Sequence, residues 1–217
     1  WNPLAYVAGG GLALSWFRDQ FFNTNCGKTL PDDQNIYEQM ITQAEKIDPG
    51  CNGLFFSPHL GGRICPAEPA MRGSWTGFSW GHTQAHFIRS ILESIAFEYN
   101  YYLSILKENI PDLQLIETRV VGGGAQSNSW NQIKADVLGV PYQKLQRNEL
   151  ATWGSAMIAG YAVGIYSNLA TTAWEHAVCN GFPIIPQFEK NEIYKKLSQQ
   201  YVEWQKMFAD EFHKLSI

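Results

Sequence analysis

The sequence predicts an α/β domain, on three observations. Short apolar runs suited to strands (Leu54-Phe55-Phe56, Thr118-Arg119-Val120-Val121 and residues 140–145) alternate with longer stretches of helical periodicity. Two triple-glycine turns, Gly9-Gly10-Gly11 and Gly122-Gly123-Gly124, each lead from a strand-like run into a helix-like one. The 217 residues are 45% hydrophobic and 17% charged, which is enough for one full-sized core and excludes disorder. Sixteen Lys and Arg against twenty Asp and Glu leave a net charge of -4, so nothing draws the chain to nucleic acid or acidic lipid. No apolar run approaches the roughly 18 residues of a membrane-spanning helix, and the chain is expected to be cytoplasmic.

The elements follow in order. Trp1 replaces an initiator Met, and the chain reads as beginning inside a domain. Ala5-Tyr6-Val7-Ala8 looks like the end of a strand, and residues 12–19 like a helix. A polar loop is expected over 23–34. Ile36, Met40, Ala44 and Ile47 then mark an amphipathic helix stopped by Pro49-Gly50. After the Leu54-Phe55-Phe56 strand comes a Gly- and Pro-rich loop over 57–73. The clearest helix carries Ile88, Ile91, Leu92, Ile95, Ala96, Tyr99, Leu103 and Leu106 through about five turns, until Pro111. A strand over 118–121 runs into the second glycine turn. The next helix starts at Asn128 or Ser129 and continues through Trp130, Ile133 and Val137 to Gly139. A strand is expected over 140–145, with its Pro near the start. Helices follow at 150–163, with a close-packing face of Ala156, Ala159 and Gly160, and at 172–179. The last runs from 189 to the end. Its seam of Ile193, Leu197, Tyr201, Trp204, Phe208, Phe212 and Leu215 is expected to dock on the core, with a homodimer as the other use of such a seam.

Cys26, Cys51, Cys65 and Cys179 have no metal-ligand spacing and read as reduced thiols. His82 and His86 stand four apart, but Thr-Gln-Ala between them lacks the Glu of a zinc-protease helix. His86, Arg89 and Glu93 share a helix face and read as groups that fix this helix beneath the preceding loop, with a catalytic dyad as the alternative. An exposed Arg89–Glu93 pair contributes only about 0.3–0.5 kcal/mol. The glycine turns carry the functional signal. Glycine lets a ligand approach the main chain, and the helix that follows offers free N–H groups and a positive dipole end. Neither turn continues as a P-loop or as GxGxxG, so each reads either as a nucleotide seat or as a plain tight turn.

Longer blocks narrow the choice. From Gly73 the chain reads GSWTGFSWGHTQAHFIRSILESIAFEY, and from Val121 it reads VGGGAQSNSWNQIKADVLGVP. Both closely resemble blocks of the FGGY carbohydrate kinases. Residues 149–156 resemble that family's E-x-x-ALGAA, residues 8–19 its AGG-x-x-x-WL-x-D, and residues 53–66 its GL-x-F-x-PYL-x-GERTP region. The resemblance covers almost the whole chain in the family's order.

It implies a ribonuclease H-like/actin-like ATPase domain, a mixed sheet flanked by helices. Residues 1–217 would be a single domain, the C-terminal nucleotide-binding half of a two-domain sugar kinase. Its first hairpin, with the family's Gly-Thr-(Ser/Thr)-Gly phosphate loop, and the N-terminal sugar-binding domain would lie outside this chain. The general base belongs to that preceding part as well, so no catalytic residue and no metal ligand is assigned here. The resemblance places ATP against Gly123, Gly124, Ala125, Ser127 and Asn128, with Gly11, Leu14 and Ser15 approaching from the first turn. Mg2+ is expected with the triphosphate. The acceptor would be a sugar or polyol held mainly by the other domain, with no nucleic acid or membrane partner.

GGGA, where other members have DGGA, resembles the xylulokinase branch and implies a ketopentose such as xylulose or ribulose. Glycerol or another polyol is the alternative. Gly62 stands where the family has the Glu of GERTP, His59 where it has the Tyr of PYL, and Trp153 where it has the Leu of ALGAA. These departures keep open a third reading, a non-catalytic actin-like nucleotide-binding module.

Overall fold

The computed structural model describes residues 4–22, 33–147 and 149–215. Cys26 and most of the loop expected over 23–34 lie outside the described residues. Helices dominate: α1 (Gly10–Phe17), α2 (Asp33–Ala44), α3 (Gln84–Asn109), α4 (Asn128–Leu138), α5 (Leu150–Ala162), α6 (Leu169–His176) and α7 (Phe188–Leu215). Four three-residue strands accompany them: β1 (Phe55–Ser57), β2 (Ser74–Thr76), β3 (Thr118–Val120) and β4 (Tyr142–Lys144). β1 pairs antiparallel with β2, Phe56 facing Trp75, while β3 pairs parallel with β4, Arg119 facing Gln143.

α3 is the spine. Its apolar face buries Ile88, Ile91, Leu92, Ile95, Ala96 and Phe97 against α1, α2, α4, α7 and β1. Around it pack Leu14 and Phe17 of α1, Met40 of α2, Ile133 and Val137 of α4, and Tyr194 and Tyr201 of α7. α2 stops at Ala44, one turn before the last apolar residue of its period, and Ile47 lies in the turn that follows. α4 closes on Gly139 with φ +69°, a left-handed C-cap that favours glycine.

Three expectations are corrected. Residues 5–8 form no strand, because no neighbouring strand pairs with them among the described residues; Tyr102 Oη donates to Tyr6 O at 3.4 Å instead. On α5 only Gly160 packs closely, with the Tyr166 ring where its side chain would be, while Ala156 and Ala159 are exposed. On α7 the buried line is Tyr194, Ser198, Tyr201 and Gln205, so Ile193 and Leu215 face outward.

Two buried carboxylates on α3 explain that rotation of α7. Glu93 accepts from Arg89 Nε at 2.8 Å, Tyr194 Oη at 2.7 Å and the amide of Gly50 at 3.1 and 3.2 Å. Arg89 is buried, and although burial opposes its charge, the neighbouring Glu93 raises its pKa overall. One and a half turns on, Glu98 accepts from Tyr201 Oη at 2.8 Å and Arg63 Nη2 at 3.0 Å, with His59 Nε2 at 3.1 Å. Burial opposes the ionisation of Glu98, but these partners outweigh it and hold its pKa below the usual carboxylate range. α7 turns its tyrosine hydroxyls, and not its most apolar line, toward α3.

Candidate functional site

The motif residues after Gly81 hold one unusual loop. Gly50, Cys51, Asn52 and Gly53 all have left-handed φ, between +50° and +89°. A non-glycine residue there costs on the order of 1–2 kcal/mol, so Cys51 and Asn52 need external support. α3 and the turn before it supply that support. Asn52 Nδ2 meets His86 Nε2 at 3.2 Å, Cys51 O meets His82 Nε2 at 3.0 Å, and the Cys51 thiol donates to Glu93 at 3.5 Å. Burial and then Glu93 push the Cys51 thiol far above its usual pKa, so it stays protonated. This long block is architecture, as its side-chain spacing implies.

The second glycine turn is built differently. Gly122, at φ +86°, leads from β3 into a 3-10 turn, Gly123–Ala125. Ser127 caps α4 by accepting from the amide of Trp130 at 3.1 Å. Trp130 sits under Gly124, where a Cβ would come within 2.9 Å of its ring, and donates Nε1–H to Leu92 O of α3 at 3.1 Å. Asp136 accepts from the amide of Gln187 at 2.7 Å and so fixes the start of α7. Trp130 and Asp136 of this block thereby tie α4 to α3 and α7.

A cavity of about 520 Å³ opens beside the turn. It is lined by Gly124, Ala125, Trp130 and Lys134 on one side, by Tyr99 and Tyr102 of α3 on another, and by Gly11 of α1. The two glycine turns therefore face one space. Of the expected residues, Gly11, Gly124 and Ala125 line it. Gly123 and Asn128 are exposed on the same turn and its helix start. Ser127 is engaged in capping. Leu14 is buried in the core, and Ser15 Oγ donates to Gly11 O at 3.2 Å and meets Tyr37 Oη at 2.7 Å, so neither lines the cavity. Lys134, which sequence reasoning missed, lines it while only 5% exposed. A lysine in a helical stretch reads as solvated, and nothing in its spacing marks it otherwise.

Residues 5–163 match the profile described as the FGGY family of carbohydrate kinases, C-terminal domain. The chain belongs to that family. It is 29% identical over 192 residues to the xylulose kinase of Bacillus subtilis strain 168, covering 88% of this chain and 36% of that protein. It is 31% identical over 192 residues to the glycerol kinase of the same strain, with the same two coverages. The crystal structure of the Rhodospirillum rubrum xylulose kinase superposes with a TM-score of 0.76 at 25% identity, over 94% of this chain and 39% of that one. The fold is thus the actin-like ATPase fold of the FGGY kinases. The chain spans little more than a third of the length of these relatives.

Within that family the departures find local explanations. Gly62 has φ +87°, and a Cβ there would lie 2.9 Å from Pro69 O, so this loop has no room for a Glu. Arg63 turns instead to Glu98. His59 joins the same cluster, with Nδ1 left without a hydrogen bond. Trp153 packs against His176 with ring centroids 5.1 Å apart and beneath the Arg147 guanidinium at 4.1 Å, and it does not line the cavity. Among the described residues no group of three His, Cys, Asp or Glu is placed to hold a metal, and no helix is long and apolar enough to cross a membrane.

Proposed function

We propose that this chain is the nucleotide-binding half of an ATP-dependent carbohydrate kinase, acting on a ketopentose such as xylulose or ribulose. The observation that carries the reading is that both glycine turns face one cavity of nucleoside size, inside a domain of FGGY ancestry. Residues 1–217 form a single domain. The opening hairpin with its phosphate loop, the sugar-binding domain and the general base lie outside it, in a protein that works in the cytoplasm. Gly11, Gly124 and Ala125 offer backbone to the adenosine, while Gly123, Ser127 and Asn128 form the helix start beside it. Mg2+ accompanies the triphosphate, with its ligands mostly outside this segment. Phosphoryl transfer asks the protein mainly for positioning and charge neutralisation, and this half supplies positioning.

The 29% identity to a xylulose kinase and the Gly122-Gly123-Gly124-Ala125 turn favour the ketopentose. The 31% identity to a glycerol kinase favours a polyol acceptor as the second reading. ADP release by the intact protein with Mg2+-ATP, measured across D-xylulose, the ribuloses, other ketoses and glycerol, tests both. ADP formed with a ketopentose supports the first reading. ADP formed only with glycerol replaces it with the second, and nucleotide bound without turnover on any acceptor would leave a non-catalytic module.

A further inference from the structure

The floor of the second glycine turn has a part that the family resemblance does not assign. Its two peptide planes are each anchored at both ends. In the Gly124–Ala125 peptide, the N–H donates to Gly122 O at 3.1 Å and the carbonyl accepts from Lys134 Nζ at 3.3 Å. In the Ala125–Gln126 peptide, the N–H donates to Gly123 O at 3.1 Å and the carbonyl accepts from Asn131 Nδ2 at 2.8 Å. Lys134 Nζ also reaches Asn131 Oδ1 at 3.4 Å and sits 4.0 Å from the centre of the Trp130 ring. Asn131 and Lys134 are one turn apart on α4, so one helix face holds both carbonyls from below.

We propose that Lys134 is a positioning residue for nucleotide, its ammonium clamping the Gly124 carbonyl so that the glycine turn is already shaped before adenosine arrives. The inference rests on the nucleotide reading of this cavity and deepens it. Glycines are the residues with most conformational freedom to lose. An anchor beneath them moves that loss from the binding step to folding, where it no longer weakens affinity.

The clamp carries a pH signature. Burial lowers the Lys134 pKa to about 7, because no carboxylate lines the cavity among the described residues to offset the desolvation. Facing it are Tyr99 and Tyr102 from α3 and Tyr142 from β4, while Arg119 of β3, also at the cavity edge, turns its guanidinium to Glu117 at 2.7 Å and over the Trp174 ring at 4.8 Å. Burial raises the pKa of all three tyrosines, so they stay neutral through this range. Lys134 alone among these groups changes charge near neutrality. Once neutral it loses the attraction of the Trp130 ring and becomes a weaker donor to Gly124 O.

The test is Mg2+-ADP affinity of the intact protein from about pH 6 to about pH 8.5, for wild type, Lys134→Met and Lys134→Arg. Wild-type affinity is expected to fall about threefold to tenfold as pH rises through the range. Lys134→Met should bind weakly at every pH without a step, and Lys134→Arg tightly at every pH without a step. With a competent acceptor, the Met variant should raise KM for ATP by the same factor and leave kcat within about twofold. A Met variant that binds as tightly as wild type, or keeps the same pH step, overturns the clamp and leaves the nucleotide reading standing. A wild-type protein that binds no nucleotide overturns both.

Discussion

The two glycine turns share a sequence and differ in how they are built. In the first, Gly9 is pressed against its own chain: a Cβ there would lie 2.0 Å from Pro58 O. Gly10 and Gly11 have open space around them, and no side chain caps α1. In the second, Trp130 and Lys134 hold Gly124 from beneath, Asn131 holds the Ala125 carbonyl, and Ser127 caps the helix. One triplet contains a packing glycine followed by two helical ones. The other is a shaped surface with its own support. Three glycines in a row read alike in the sequence, and the structure separates a turn packed at Gly9 from one supported from beneath.

Substitutions can break or sharpen this contrast, and the largest effect is expected beneath the second turn. Lys134 has an ordinary pKa of 10.5, and the fold lowers it to about 7. Between those values the unfolded chain holds a proton that the native state lacks, so stability rises with pH across that window. Below pH about 7 the full cost of burying the charge is present, on the order of 5 kcal/mol at most. Lys134→Met should therefore raise the melting temperature at neutral pH, and the gain should shrink toward pH about 10. Denaturation followed by circular dichroism at several pH values reads it directly; a variant that is less stable at neutrality would contradict the burial cost. The same residue would then trade stability for binding.

Next comes Gly9→Ala, which must move Pro58 or the turn and should cost about 1–3 kcal/mol in a urea titration. No loss of stability would mean that the first turn is looser than its geometry implies. Gly124→Ala presses on the Trp130 ring and should cost about 1 kcal/mol, while weakening ADP more than Gly9→Ala does. Equal effects on ADP would erase the distinction between the turns. The smallest change is Gly11→Ala, on a helix with open space: stability should rise by about 0.5–1 kcal/mol. If Gly11 offers its backbone to the nucleotide, the added methyl should weaken ADP even as it stabilises the fold.

Most of the helices were legible because their apolar periods are long, as in α3 and α4. The register of α7 was legible in part: Leu197, Tyr201 and Trp204 of the expected seam pack on the core, whereas Ile193 and Leu215 at its ends face outward and Tyr194, outside the seam, is buried because its hydroxyl satisfies Glu93. Arg89 and Glu93 do hold the loop before this helix, as their spacing implies, but a sequence does not show Tyr194, the third partner that buries them. The strand expected at 5–8 needs a neighbour to pair with, and spacing cannot supply one. At the site, the glycine turn and the Asn128 helix start were readable from the sequence, while the Ser127 cap came from the structure. Lys134 was hidden because its role depends on Trp130 and Gly124 lying across it.

The central claim is that nucleotide rests on the Gly123–Asn128 side of the cavity. A crystal structure of the intact protein with Mg2+-ADP tests it most directly. The account predicts adenosine against Gly123, Gly124 and Ala125, with Asn128 beside the base and Lys134 still bonded to Gly124 O. Nucleotide bound elsewhere, with this turn empty, would contradict it.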